Sequence, residues 1–168
     1  MIRKFAAHVP QIDESAWISE TALVMGHVII GPDSGIWPGA VLRGDFAVIR
    51  IGAGTVIEDN VVVHSGDGIA VGNNVIVGHG AVLHCREIGD NTLIANNATV
   101  LDDAVIGKFC VIGAGCVVSP GMVIPDHSLV LGVPGRITGA VSDKQLARLR
   151  KGNASYIPMF EQYRRDGI

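Results

Sequence analysis

Charge is scarce in this chain. Asp, Glu, Lys and Arg make up 17% of its 168 residues, below the usual quarter, while 48% of the residues are hydrophobic. Much of the chain therefore belongs inside something. The formal charge of −3, with pI ≈ 6.0, gives no electrostatic reason to expect a nucleic-acid partner. No apolar run approaches the roughly 18 residues of a membrane-spanning helix, so no membrane association is expected. The N-terminus is basic, but its apolar run is short and broken by His8 and Pro10, unlike a signal peptide. Cysteine is limited to Cys85, Cys110 and Cys116, an odd count without a CxxC pair. A reducing, cytoplasmic compartment is the resulting expectation. No helical periodicity precedes residue 142, which disfavours a doubly wound α/β fold.

Glycine, by contrast, is abundant: 22 residues, spaced at intervals rather than gathered in a linker. The intervals belong to a six-residue repeat. An aliphatic side chain recurs at Ile12, Ile18, Val24, Ile30, Ile36 and Leu42, then at Ile51, Ile57 and Val63, then at Val71, Val77 and Leu83. It resumes at Ile88 and continues every six residues to Val130. Small or modest residues such as Ala40, Thr55, Ala81, Cys110 and Cys116 follow four positions later. A period of six suits neither a helix nor a sustained strand. It suits very short strands alternating with turns, three hexads closing one triangular coil of about 18 residues. The expected fold is an all-β solenoid, a parallel β-helix over residues 1–136 of between six and seven coils.

The composition changes after Arg136. Leu146, Leu149, Tyr156, Phe160 and Tyr163 fall at helical spacing, and Ser142 with Gln145 makes a capping-box start. Residues 137–168 are thus expected to form a C-terminal α-helix packed along the β-helix as part of the same domain. Gly152 and Pro158 are candidate points of a kink or division.

The repeat slips three times. Leu42 to Ile51 is nine residues, Val63 to Val71 is eight, and Leu83 to Ile88 is five. Leu42, Val63 and Leu83 are each three hexads apart, so the irregular hexads fall on one side of three successive coils. The residues that follow them, Arg43, His64 and His84, should stack in one outward column. Coils lie about 4.8 Å apart, and two imidazoles at that separation can converge on one ion with metal–nitrogen distances of roughly 2.0–2.1 Å. His79, second after Val77, lies near a corner on the adjoining face and points away from that column. Side-by-side packing in a symmetric trimer is one arrangement that brings a neighbour's His79 to it. His8, His27 and His127 bear no such relation and read as structural or surface residues.

On these residues the chain resembles the γ-class carbonic anhydrase family. The motifs are Leu42-Arg43-Gly44-Asp45, Ile57-Glu58-Asp59-Asn60 leading to His64, and Gly78-His79-Gly80-Ala81-Val82-Leu83-His84-Cys85. The resemblance implies a left-handed β-helix and a homotrimer with metal sites at the subunit interfaces. It implies Zn2+, or Fe2+/Co2+, held by His64 and His84 of one subunit and His79 of the next. It implies reversible hydration of carbon dioxide to bicarbonate by a metal-bound hydroxide. Arg43 and Asp45 match a pair that bridges the interface, Asp59 an acidic residue that supports it, and Tyr156 a tyrosine near the site. Glu58 stands where a glutamine commonly contacts the metal-bound water, and is the candidate catalytic carboxylate beside Tyr156. Val56 stands where the best-studied pattern has an asparagine. Ser65-Gly66-Asp67-Gly68 replaces a longer acidic loop. The architecture also accommodates a hexapeptide acyltransferase, a metal-dependent thioesterase or a non-catalytic trimeric metal-binding scaffold.

Overall fold

The computed structural model describes residues 1–167, with Gly152 and Asn153 described in backbone only. The described residues form twenty strands, most of them two residues long, and one helix, α1, Asp143–Asp166. The strands wind into a left-handed parallel β-helix of about seven turns. Each short strand turns one aliphatic side chain inward, and the same position of the next coil lies on top of it. Leu42, Val63, Leu83, Val100 and Val118 are paired in this way. All five are fully buried. The other two faces carry the stacks Ile57, Val77, Ile94, Ile112, Val130 and Val71, Ile88, Ile106, Ile124. The interior is a set of aliphatic columns, which is why so little charge is needed to cover it.

The small residues of the repeat occupy the corners. There, buried hydroxyls link one coil to the next. Ser34 Oγ donates to the Gly52 carbonyl at 2.7 Å and accepts the Thr55 amide at 3.2 Å. Thr55 Oγ1 donates to the Gly72 carbonyl at 2.7 Å and accepts the Val75 amide at 3.1 Å. Each hydroxyl thus satisfies two buried backbone groups that a turn leaves unpaired. Cys110 takes the same corner position two coils beyond Val75, its thiol 3.2 Å from the Pro125 carbonyl. The cysteines are free and buried.

The three slips of the repeat meet at one corner. Leu23–Ile30 and Val41–Ile51 run through it as long strands, with a register shift between Gly26 and Val28. Val62–Val63 and Val82–Leu83 stop just before it, leaving His64 and His84 at the point where the chain departs from the regular coil. The register Leu42–Val63–Leu83 is the one obtained by counting hexads.

After the last coil the chain turns back as Arg136–Ala140, antiparallel to Ser128–Leu131. Helix α1 then starts at its capping box: Gln145 N–H donates to Ser142 Oγ at 3.4 Å, and Ser142 N–H donates to Gln145 Oε1 at 2.9 Å. Pro158 lies inside α1 without dividing it. The helix packs against its own β-helix through aromatic rings. Phe160 and Tyr163 stack on Trp17 at 5.8 and 5.0 Å, and Tyr156 and Tyr163 meet Trp37 edge to face at 5.7 and 5.6 Å. Gly35 makes this possible, since a Cβ there would lie 2.1 Å from Phe160 Cζ.

Phe160 is 2% exposed, and it fixes the C-terminal half of α1. Phe160→Ala is expected to destabilise that attachment by about 3–5 kcal/mol. Hydrogen exchange should show fast-exchanging α1 amides while amides of the coils stay protected; undiminished protection of α1 would refute this anchoring role.

Candidate metal centre

Stacked coils convert sequence separations of about twenty residues into side-chain contact. Nδ1 of His64 lies 3.3 Å from Nε2 of His84. The far nitrogen of each ring meets a carboxylate. His64 Nε2 is 3.1 Å from Asp45 Oδ1, and His84 Nδ1 is 2.9 Å from Asp102 Oδ1. Asp45 also accepts hydrogen bonds from the Arg43 guanidinium and, at 3.1 Å, from the Phe46 amide. Desolvation favours its protonated form, but these donors, Arg43 foremost, outweigh it and hold the carboxyl below the usual carboxylate range.

These contacts assign the tautomers through the hydrogen-bond network. An ionised carboxylate only accepts. The nitrogens facing Asp45 and Asp102 therefore carry the protons of the neutral rings. In neutral rings so oriented, the nitrogens facing each other present lone pairs. Two such acceptors, 3.3 Å apart, can both be satisfied by one cation between them. A tetrahedral ion with ligand distances of about 2.0–2.1 Å has a nitrogen–nitrogen edge of about 3.3–3.4 Å. The pair thus fits two ligands of such an ion, each ring oriented by an outer carboxylate.

His79, at another edge of the prism, differs in having a carboxylate near both ring nitrogens. Its Nδ1 is 2.7 Å from Asp59 Oδ2, its Nε2 is 3.2 Å from Glu58 Oε2, and its side chain is 52% exposed. Among the described residues, no three His, Cys, Asp or Glu side chains converge as a metal-holding group within the single chain. His64 and His84 are brought together; His79 is partnered by Asp59 and Glu58 instead.

Glu58 and Tyr156, 98 residues apart, are in contact: the Tyr156 hydroxyl donates to Glu58 Oε1. Glu58 Oε2 accepts the His79 amide at 3.1 Å. The carboxylate is buried. Burial, together with the Glu58 acceptor, pushes the Tyr156 phenol well up from its ordinary value. Beyond this group a groove of about 520 Å³ runs between α1 and the coils, floored by Ile76, Leu93 and Val111. On the other side, a pocket of about 120 Å³ separates His84 and Arg86 from the Ser65–Gly68 loop, with Asp67 in its wall. The Cys85 thiol, next to His84, is buried in the core and is pushed up to about 12 by burial.

Two features escape the sequence. Phe46, 75% exposed, sets its ring edge to face against His64 with centroids 5.7 Å apart. Asp102 lies outside every motif quoted above. It would be found only by adding one coil, 18 residues, to His84.

Fold and site together define a hexapeptide-repeat β-helix with a histidine–carboxylate cluster at one corner. Residues 87–120 match the family profile described as bacterial transferase hexapeptide (six repeats). The chain is 45% identical over 152 residues to the probable carbonic anhydrase of Methanocaldococcus jannaschii, covering 89% of this chain and 96% of that protein. It is 36% identical over 161 residues to the mitochondrial gamma carbonic anhydrase 1 of Arabidopsis thaliana, covering 88% of this chain but 56% of that longer protein. The crystal structure of a hexapeptide transferase family protein from Anaplasma phagocytophilum superposes with a TM-score of 0.93 at 32% identity, over 96% of this chain and 97% of that one. The chain belongs to the γ-class carbonic anhydrase family.

The raised Tyr156 phenol has a stability consequence with a definite sign. A folded-state value above the unfolded one, about 10, makes a contribution that is present below pH 10 and is lost as pH rises through the folded value. In an alkaline absorbance titration, part of the phenolate signal should appear only at pH values well above 10, and Tyr156→Phe should remove that late part. A wild-type titration completed near pH 10 would refute the Tyr156–Glu58 contact.

Proposed function

We propose that the protein is a metal-dependent γ-carbonic-anhydrase-like enzyme that hydrates carbon dioxide reversibly to bicarbonate. The observation that carries this reading is the approach of His64 Nδ1 to His84 Nε2, 3.3 Å apart, with a carboxylate on the far nitrogen of each ring. His64 and His84 of one subunit would hold the ion with His79 of an adjacent subunit. The assembly is then a homotrimer with three sites at its interfaces. In this role the half-exposed His79 would keep Asp59 on Nδ1 and turn Nε2 from Glu58 to the ion.

A bound Zn2+, or Fe2+ or Co2+, would supply Lewis acidity and lower the pKa of water toward about 7. The remaining steps belong to this chain's own side chains. Glu58 is presented as an acceptor, its two oxygens engaged by the Tyr156 hydroxyl and the His79 amide. It is the candidate to accept the proton released when water attacks carbon dioxide. Tyr156 orients it and is the next donor in the chain of hydrogen bonds. Phe46 covers one side of His64 and limits water there. Arg43 and Asp45, beside His64, are the candidates for interface support. Three free, buried thiols suit a reducing, cytoplasmic compartment.

A second reading is favoured by the likeness to the transferase-family structure and by the groove along α1. In it the same fold transfers an acyl group with a histidine general base. Metal dependence separates the two. Stopped-flow measurement should show carbon dioxide hydration that disappears on chelation and returns with added metal. His84→Ala should lower kcat/KM by more than about 100-fold, above the range for losing an outer-sphere partner. Full activity without metal would rule out the proposed mechanism. His79→Ala is expected to lose bound metal and to loosen the trimer together, measured by metal analysis and sedimentation. A monomer retaining stoichiometric metal would exclude a shared site.

A further inference from the structure

We propose that Asp102 is a positioning residue for His84, and that it keeps the His64–His84 pair open to a cation. The inference rests on the metal reading above. Each of the three histidines is bonded through one ring nitrogen to an aspartate: Asp45 on His64 at 3.1 Å, Asp59 on His79 at 2.7 Å, and Asp102 on His84 at 2.9 Å; the other nitrogen of His79 lies 3.2 Å from Glu58. The first two carboxylates fall inside the motifs that carry the family resemblance. Asp102 falls outside them, one coil beyond the histidine it serves.

Its backbone is fixed from both sides. The His84 amide donates to the Val100 carbonyl at 2.9 Å, and the Gly121 amide donates to the Asp102 carbonyl at 2.7 Å. Asp103 turns the corner with φ 57°, and the Ala104 amide closes the turn on the Leu101 carbonyl at 3.2 Å. The carboxylate is thereby delivered to Nδ1 of His84.

Stability does not explain the contact. The Asp102 side chain is 61% exposed, and exposed pairs of this kind contribute little to folding. Its effect is on the tautomer. With Asp102 accepting from Nδ1–H, Nε2 of His84 is a lone pair aimed at His64. Without Asp102, the neutral ring is free to carry its proton on Nε2. That proton would then point at His64 Nδ1, 3.3 Å away, and the two rings would hydrogen-bond to each other. The facing lone pairs would be consumed, and a metal would have to break this bond before binding.

The test titrates Zn2+ into metal-free protein against a chromophoric chelator, comparing wild type, Asp102→Ala, Asp102→Asn and His84→Ala. Asp102→Ala is expected to weaken Zn2+ binding roughly 10–100-fold. Asp102→Asn retains an acceptor oxygen and should lose less. In metal-free wild type, long-range 1H–15N correlation should show His84 as the Nδ1–H tautomer, shifting to Nε2–H in Asp102→Ala, with the urea midpoint unchanged. Unaltered Zn2+ affinity and tautomer in Asp102→Ala would overturn the proposal. So would a lowered urea midpoint with an unaltered tautomer, which marks a merely structural residue. If wild type and His84→Ala alike fail to take up Zn2+, the metal reading falls, and the tautomer shift alone then decides the role of Asp102.

Discussion

One aliphatic side chain per hexad, stacked on its counterpart in the next coil, is the contact from which everything else in this protein derives. Leu42, Val63 and Leu83 form one such column, and their burial fixes the register of three successive coils. Register in a β-structure is strongly specified wherever one face is buried, because a slip of one residue would turn the column outward. With the inward residue fixed, the outward neighbour is fixed too. Arg43, His64 and His84 are carried to one edge by the side chains just before them. The site inherits its geometry from the core and needs little local structure of its own.

That inheritance explains how much was legible in the sequence. The columns, the three slips and the stacking of His64 on His84 follow from counting residues. The capping box at Ser142 follows from local chemistry, as does the aromatic face of α1. Other features depend on distances that no count contains. Gly35 is one of many glycines in the repeat until Phe160 is seen lying against it. Glu58 and Tyr156 meet only because α1 returns along the face that carries the hexad of Glu58. Asp102 sits in a regular hexad, where no slip draws attention to it. The returning strand Arg136–Ala140 carries no sequence signal, because its five exposed residues show no buried alternation. The pairing of ring nitrogens lies beyond sequence altogether, since it depends on side-chain rotation.

The same arrangement divides labour between stability and function. The columns are apolar and buried, and the corner hydroxyls are fully engaged. The histidines and their carboxylates lie outside that interior, where exchange of one side chain leaves the stacks intact. A corner is the favourable place for them. Extra residues can be inserted there, as after Arg43 and His64, without disturbing the hexads on either side. The long strand Val41–Ile51 bridges the corner and delivers Asp45 to His64 in doing so.

The charges around this corner bear on which chemistry the fold supports. At this corner Asp45 and Asp102 approach the rings of His64 and His84, with Arg43 bonded to Asp45, while Asp59 and Glu58 approach the ring of His79 at another edge. Such a set of carboxylates lowers the energy of a positive species held between the rings and raises that of an anion. A coenzyme carrying several phosphates would meet repulsion at the same place. An acyl-transfer site would need only one histidine as base, and would gain nothing from two lone pairs aimed at each other. A divalent ion satisfies both lone pairs and offsets the surrounding negative charge. Glu58 then has a specific consequence. On the proposed reading, the buried carboxylate would raise the pKa of water at such an ion where a neutral amide would not, while offering that water a proton acceptor. The two effects oppose each other, so turnover by the proposed mechanism would depend on how far the Tyr156 hydrogen bond moderates the charge on Glu58.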